Sequence, residues 1–147
     1  MIFEMVATFA AGLFAGAAIY ITAVEHPARM ECGTDVAIRE FSPSYRRATV
    51  MQVSLAVISF LMSIAAWLAI GSVWWLAGGG ILVAVIPFTL MVILPTNKKL
   101  LDPSLANNSE LVSELLVLWG RLHAARSLLS VISFLIFLYL LGRSQPA

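Results

Sequence analysis

The chain has 147 residues, of which 61% are hydrophobic and only 12% are charged, and its mean hydropathy is +0.94. Soluble proteins carry about 25% charged residues. A water-soluble domain of this size could not bury so much apolar surface, so we expect one integral membrane domain over residues 1–147. The net charge of +1 excludes the basic surplus of a nucleic-acid-binding protein. A single cysteine, Cys32, excludes an internal disulfide and any multi-cysteine metal site.

Four apolar segments are long enough to cross a bilayer, which takes about 20 residues in a helix. They cover residues 2–24, 48–70, 73–94 and 115–141. The first lacks a basic flank and is too long for a signal peptide, so it is predicted to remain as a span. Backbone groups in lipid need internal partners, which predicts helices. The expected fold is all-α: a four-helix up-down bundle in the membrane, with a short interfacial helix from Ser109 before the fourth span.

The connections predict the topology of the bundle. Only Gly71 and Ser72 join the second and third spans, whereas residues 25–47 and 95–114 form two long connections on the opposite side. That side carries every basic residue except Arg143, which favours a cytoplasmic location for it in a multi-pass protein of the inner membrane. It also carries every acidic residue except Glu4, so these charges could form a site instead of a topology signal.

Proline and serine residues mark the expected helix boundaries. Ser42 or Ser44 is a candidate N-cap for the second span, and Pro95 is expected to end the third. Pro87 is expected to kink the third span, because proline removes one backbone hydrogen bond.

Each span has a small or polar stripe at helical spacing, and the stripes are densest on the side of the long connections. On the first span the stripe includes Thr22 and His26, and on the third it includes Thr89, Thr96 and Asn97. The second span has Tyr45, Gln52, Ser59 and Ser63, and the fourth has Trp119, His123, Arg126, Ser130 and Ser133. Lipid disfavours polar groups, so the stripes are expected to face one another inside the bundle.

The residues at this polar mouth have the chemistry of a catalytic site. His26 and His123 can exchange a proton near neutral pH, and Glu25 lies next to His26. Arg126 can stabilise an organic anion or bind a lipid phosphate, and Trp119 offers a flat wall for an aromatic ligand. The alternative is that these side chains lie at the interface and extend towards lipid headgroups.

Two other functions remain open. His26 and His123 could ligate a haem or a copper ion in a membrane redox protein, although no HxxxH, ExxH or CxxC spacing supports it. The protein could also be a non-enzymatic membrane protein that binds lipid or takes part in transport. A homo-oligomer is compatible with the sequence.

Four motifs in order, "VEHPARM", "FSPSYRRATVMQ", "PTNKKLLDP" and "LWGRLHAARSLL", resemble those of a four-helix membrane family that includes the anthrone oxygenases. The resemblance covers residues 8–141. It implies a four-helix membrane fold and O₂-dependent oxidation of an anthrone-like, lipophilic aromatic to a quinone, with no organic cofactor. By this resemblance, His26 or His123 would be the base, and Arg126 and Arg46 would bind the anion. Asn97 and Tyr45 would be hydrogen-bonding partners, and Trp119 would form the wall. Gln52 and Glu25 are further candidate substrate contacts.

Overall fold

Four long helices account for nearly all of the part of the chain that the structure describes, residues 1–143 without the side chains at positions 106 and 107. In this computed structural model the helices are α1 (Ile2–Glu31), α2 (Thr34–Ile70), α3 (Trp74–Leu100) and α4 (Ser109–Arg143). Each is long and apolar enough to cross a membrane. Residues 1–143 contain no β-strand. The all-α four-helix bundle predicted from the sequence is therefore confirmed.

The helices pack as a ring in which α1 and α3 each contact both α2 and α4. Close approach relies on glycine: a Cβ at Gly78 would lie only 2.7 Å from the ring of Phe137. Gly71 ends α2 with φ of 80° and makes the tight turn into α3, a backbone conformation that glycine adopts without a steric penalty. Large apolar side chains such as Phe9, Leu68, Met91 and Leu128 are exposed on the outside of the ring, as expected for a lipid-facing surface.

The helices extend further than the predicted spans at the end that carries the long connections. α1 continues to Glu31, α2 already begins at Thr34, and α3 continues to Leu100. Ser42 and Ser44 consequently lie inside α2 rather than at its N-cap, and Pro95 does not end α3. The segment predicted as a separate interfacial helix forms the first turns of α4 without a break at the fourth span.

A second apolar core explains these extensions. One cluster of buried residues lies among the spans and includes Ala7, Phe14, Ala56, Leu82 and Phe137. The other is formed by the extended helix ends and the short 3₁₀ turn Pro103–Asn107, and includes Ala37, Phe41, Leu100, Val112 and Leu116. We call the second cluster the cap core. Residues that look like loop from hydropathy alone therefore bury a core of their own, which stabilises them as helix.

Two short π-helical segments interrupt α1 and α3 near the boundary between the two cores. They are Ile21–Glu25 in α1 and Thr89–Ile93 in α3, and Pro27 and Pro95 follow them closely. The backbone N–H of His26 donates to Ile21 O, and that of Leu94 donates to Thr89 O, so each bond spans five residues instead of four. Such wide turns are found frequently at functional sites.

Candidate functional site

A small cavity of about 30 Å³ lies where all four helices meet, between the two cores. Seven of the nine side chains predicted as site residues line it: Glu25, Tyr45, Gln52, Asn97, Trp119, His123 and Arg126. The other two do not. His26 is buried on the far side of this lining against α4, and Arg46 is exposed on α2.

His123 is fixed by two hydroxyl groups. Its Nδ1 lies 3.0 Å from Thr22 Oγ1 and 3.4 Å from Ser127 Oγ. In the tautomer that carries the proton on Nδ1, this N–H donates to Thr22 Oγ1 and the Thr22 hydroxyl donates to Ala18 O. Nδ1 is thereby held on the α1 side. Nε2 is the ring nitrogen left for a molecule in the cavity.

Arg126 brings a positive charge into the same cavity. Its Nη2 donates to Gln52 Oε1, and its guanidinium lies 5.3 Å from the ring centroid of Phe14. Among residues 1–143, no carboxylate lies within ion-pair distance of this guanidinium. Arg126 is half-buried, and a cation without a counterion is costly there because the protein interior solvates charge poorly. Its charge is available to an anionic ligand.

Several buried polar atoms around Arg126 also have no hydrogen-bond partner within the described part of the chain. They are Gln52 Nε2, Asn97 Oδ1 and Arg126 Nε. Gln52 and Asn97 are each only 1% exposed. Buried polar atoms are almost always hydrogen-bonded in folded proteins. Donors and an acceptor that converge on one cavity therefore mark a place where a polar ligand can bind.

A network of charges closes the cavity on the cap side. Arg29 pairs with Glu25 one turn before it and with Glu40 on α2, and the Ser44 hydroxyl donates to Glu25 Oε1 over 2.7 Å. The Arg29 side chain is almost fully buried, and its guanidinium lies 5.7 Å from the ring centroids of Phe41 and Trp119. The Glu25 carboxylate is thus paired with Arg29 and Ser44, so it forms part of the wall of the site.

Trp119 is the aromatic centre of the site. The His123 ring stacks on it at 4.8 Å between centroids, and the His26 ring lies tilted against it at 5.2 Å. The edge of Phe41 completes the contact at 5.4 Å. His26 is held beyond this by α4, since a Cβ at Gly120 would lie only 2.5 Å from His26 Nε2. Both histidines therefore share Trp119, although only His123 reaches the cavity.

Sequence reasoning missed three polar residues at the site: Arg29, Ser44 and Ser127. Ser127 lies one helical turn after His123, so helical spacing could have identified it. Arg29 and Ser44 lie in the predicted connection 25–47, into which the helical stripes were extended only as far as His26 and Tyr45.

A family model described as Anthrone oxygenase matches residues 41–136, well over half of the chain. The chain belongs to the anthrone oxygenase family. The suspected resemblance is confirmed by this match. The matched part includes Gln52, Asn97, Trp119, His123 and Arg126, whereas the contributions of α1 to the site lie outside it. No match is found among curated proteins or among solved structures.

The chain is thus a member of the anthrone oxygenase family, and its four helices are each long and apolar enough to cross a membrane. Within residues 1–143, no three His, Cys, Asp or Glu side chains converge in a way that could hold a metal ion. The site offers instead one imidazole, one guanidinium, two amides and an indole around a small cavity.

Proposed function

We propose that this protein is a membrane oxidoreductase that uses O₂ to oxidise a lipophilic, anthrone-like aromatic to a quinone, with His123 as the base. One observation carries the proposal: His123 and Arg126, a cation without a carboxylate partner, line the same buried cavity. A base next to an anion-binding group is what removal of an acidic ring C–H proton requires.

In the first step, His123 Nε2 takes a proton from the ring CH₂ group of the substrate. The electron pair of that C–H bond moves into the ring system, and the negative charge collects on the carbonyl oxygen. Arg126 and the Gln52 amide stabilise this oxyanion, because their N–H groups are buried and already in place. Trp119 supports the flat ring system.

In the second step, O₂ accepts electrons from the substrate anion and a C–O bond forms, giving a peroxide. Protonated His123 gives its proton to the peroxide, and the neutral imidazole then takes the second proton from the same carbon as the O–O bond breaks, which produces the ring carbonyl and a hydroxide. The departing hydroxide takes a proton from protonated His123 and becomes water. The substrate is oxidised, O₂ is reduced, and His123 returns to its neutral form.

We propose that no organic cofactor takes part. In the two steps above the substrate anion itself passes electrons to O₂, and the cavity of about 30 Å³ has room for a group of the size of O₂. The rival function, a haem or copper protein that uses His26 and His123, predicts an absorption band or stoichiometric metal in the purified protein. A colourless, metal-free preparation with activity would eliminate it.

The test is O₂ consumption by the purified protein in lipid nanodiscs with anthrone as substrate, corrected for the spontaneous reaction. His123→Ala should lower the protein-dependent rate by about 10²- to 10⁴-fold, since general base catalysis contributes that much. Arg126→Ala should also abolish most of the rate, whereas Arg121→Ala, at an exposed position on the same helix, should not change it.

An unaltered rate in His123→Ala would contradict the proposal. If both His26→Ala and His123→Ala left binding and turnover unchanged, the non-enzymatic alternatives, lipid binding or a role in transport, would be favoured instead. His26→Ala should have a smaller effect than His123→Ala, because His26 packs behind Trp119 and does not line the cavity.

We also propose that the cap core faces the cytoplasm. The excess of basic residues in the connections around it supports this orientation. The substrate, a lipophilic small molecule, then reaches the site from the membrane.

A further inference from the structure

The central cavity is too small for the substrate class. A volume of about 30 Å³ holds two or so water-sized groups, at roughly 10–15 Å³ each. Pockets for ligands with several rings measure about 300–1,000 Å³. Only the reacting edge of such a molecule can therefore occupy the cavity, and the rest of its ring system needs a larger adjoining space.

Four larger spaces differ in whether they adjoin the cavity. A groove of about 460 Å³ beside Gly12 and Phe134 shares no lining residue with it. A groove of about 770 Å³ at the opposite end of α3 and α4 shares no lining residue with it. A recess between α2 and α3 adjoins it at Arg126 and Gln52 but has only about 70 Å³. The groove between α1 and α2 has about 680 Å³ and is open to the outside of the bundle. Only the last of these both adjoins the cavity and is large enough.

The groove between α1 and α2 is continuous with the cavity through shared walls. Ile21, Glu25, Ser44 and Ala48 line both spaces. Ile21 and Glu25 are the first and last residues of the π-helical segment of α1. The widened turn of α1 is therefore part of the partition between the open groove and the buried cavity.

The groove is apolar towards the middle of the membrane and polar towards the cap. Its apolar end has Gly16, Ala17 and Met51, and its polar end has Glu40 and Arg47. The small residues of α1 leave a shallow floor on which a flat ring system can lie. A molecule with an apolar body and an oxygen substituent at one end matches this gradient.

We propose that the groove between α1 and α2 is the binding site for the ring system of the substrate, which enters laterally from the bilayer. This inference rests on the proposed function for the identity of the ligand, a planar lipophilic aromatic with ring oxygens. The part of the ring system that carries the CH₂ and carbonyl groups passes between Ile21 and Ala48 to reach His123 Nε2 and Arg126, while the apolar body remains over Gly16 and Met51.

Gly16 allows the groove to be filled without disturbing the bundle. No atom lies within 4 Å of a Cβ built at this position, so the side chain of Gly16→Phe extends into the groove. Gly80 on α3 is also open in this way and does not line the groove, so Gly80→Phe is a matched control. Gly16→Ala adds only one methyl group and serves as a second control.

The experiment measures binding of dihydroxyanthraquinone, a tricyclic probe without the reactive CH₂ group, to the protein in lipid nanodiscs. Quenching of tryptophan fluorescence is recorded, and the signal of empty nanodiscs is subtracted. Gly16→Phe should weaken binding by about tenfold or more, whereas Gly80→Phe and Gly16→Ala should change it by less than about twofold. Helicity and elution volume show that each variant is folded.

Unchanged binding in a folded Gly16→Phe variant overturns the proposal, and so does a signal equal to that of empty nanodiscs. A third outcome also overturns it: phospholipid copurifies with the native chain but not with Gly16→Phe, and the probe does not displace it. A lipid is then the occupant of the groove. The O₂ assay separates this inference from the proposed function. If Gly16→Phe weakens probe binding but the native protein shows no turnover, the groove is the binding site and the proposed reaction is wrong. If turnover depends on His123 but is unchanged in Gly16→Phe, the proposed reaction holds and the groove is not the binding site.

Discussion

Arg126 carries its charge where four helices meet, with an amide oxygen as its hydrogen-bond acceptor and no carboxylate partner in residues 1–143. Arg29, which lines the same cavity, forms ion pairs with the carboxylates of Glu25 and Glu40. The two arginines therefore have different tasks. Arg29 is neutralised by Glu25 and Glu40 and links α1 to α2, whereas on our proposal Arg126 keeps its charge for a ligand.

Replacing this unneutralised cation should separate stability from activity. In Arg126→Met/Gln52→Leu both hydrogen-bonding partners become apolar, so neither leaves the other unpaired, and the melting temperature should stay the same or rise. Turnover of anthrone should fall to background. Thermal unfolding in detergent and the O₂ assay measure the two effects. A lower melting temperature would mean that Arg126 stabilises the fold.

The hydroxyl groups that hold His123 should affect catalysis through its orientation. Thr22→Val and Ser127→Ala remove the acceptors for Nδ1–H and should each lower turnover by about tenfold, a fraction of the whole contribution of the base. Thr22→Ser keeps the hydroxyl and should restore most of the rate. A structural role alone would not require the hydroxyl, so equal rates in Thr22→Val and Thr22→Ser would contradict this assignment.

At the level of the helices, the sequence predicted which faces are buried but not where π-helical segments interrupt the α-helices. Gln52, Ser59 and Ser63 of α2 are buried together, as the spacing of the second span predicted. His26 was placed on the same stripe as Thr22 by counting regular helical turns. The π-helical segment Ile21–Glu25 contains Thr22 and ends just before His26, and its wider turn changes the relative rotation of the two residues. Thr22 consequently contacts His123, while His26 packs against Gly120.

The close approach of α1 and α4 gives a test at this scale. Gly120→Ala would place a methyl group against the His26 ring and should destabilise the protein by about 1–3 kcal/mol, the usual cost of overpacking. Gly80→Ala, which meets no atom within 4 Å, should be neutral or stabilising by up to about 1 kcal/mol. Thermal or denaturant unfolding measures both.

A double variant provides the control for this contact. In His26→Ala/Gly120→Ala the ring is absent, so the two effects should be less than additive. If Gly120→Ala were as stable as Gly80→Ala, α1 and α4 would not be in contact at this position.

Considered as a whole, the molecule has two unequal ends. α2 contains 37 residues, which makes it roughly 55 Å long, while a bilayer core is about 30 Å thick. The excess projects into the cap core on one side, and only a short turn lies on the other. Hydropathy predicted four spans correctly because it reports lipid contact. It could not predict the helices around the cap core, because their exposed polar residues and buried apolar residues together give the low mean hydropathy of a loop.

The orientation can be tested with single thiols. Cys32 is exposed in the turn between α1 and α2, so a membrane-impermeant maleimide should label it in inside-out vesicles and not in intact cells. In a Cys32→Ser background, Ser72→Cys at the opposite turn should show the reverse pattern. Labelling of Cys32 in intact cells would place the cap outside.

The contact between Thr22 and His123 joins residues 101 positions apart, on the first helix and the last. A ribosome releases the chain from its N-terminus, so α1, α2 and α3 can enter the membrane before α4 has been made. Until then the proposed base is missing and its two hydroxyl partners have not met. On the proposed mechanism, a chain that ends before α4 therefore lacks the base that the reaction needs. The reaction can begin only after the last helix has packed against the first.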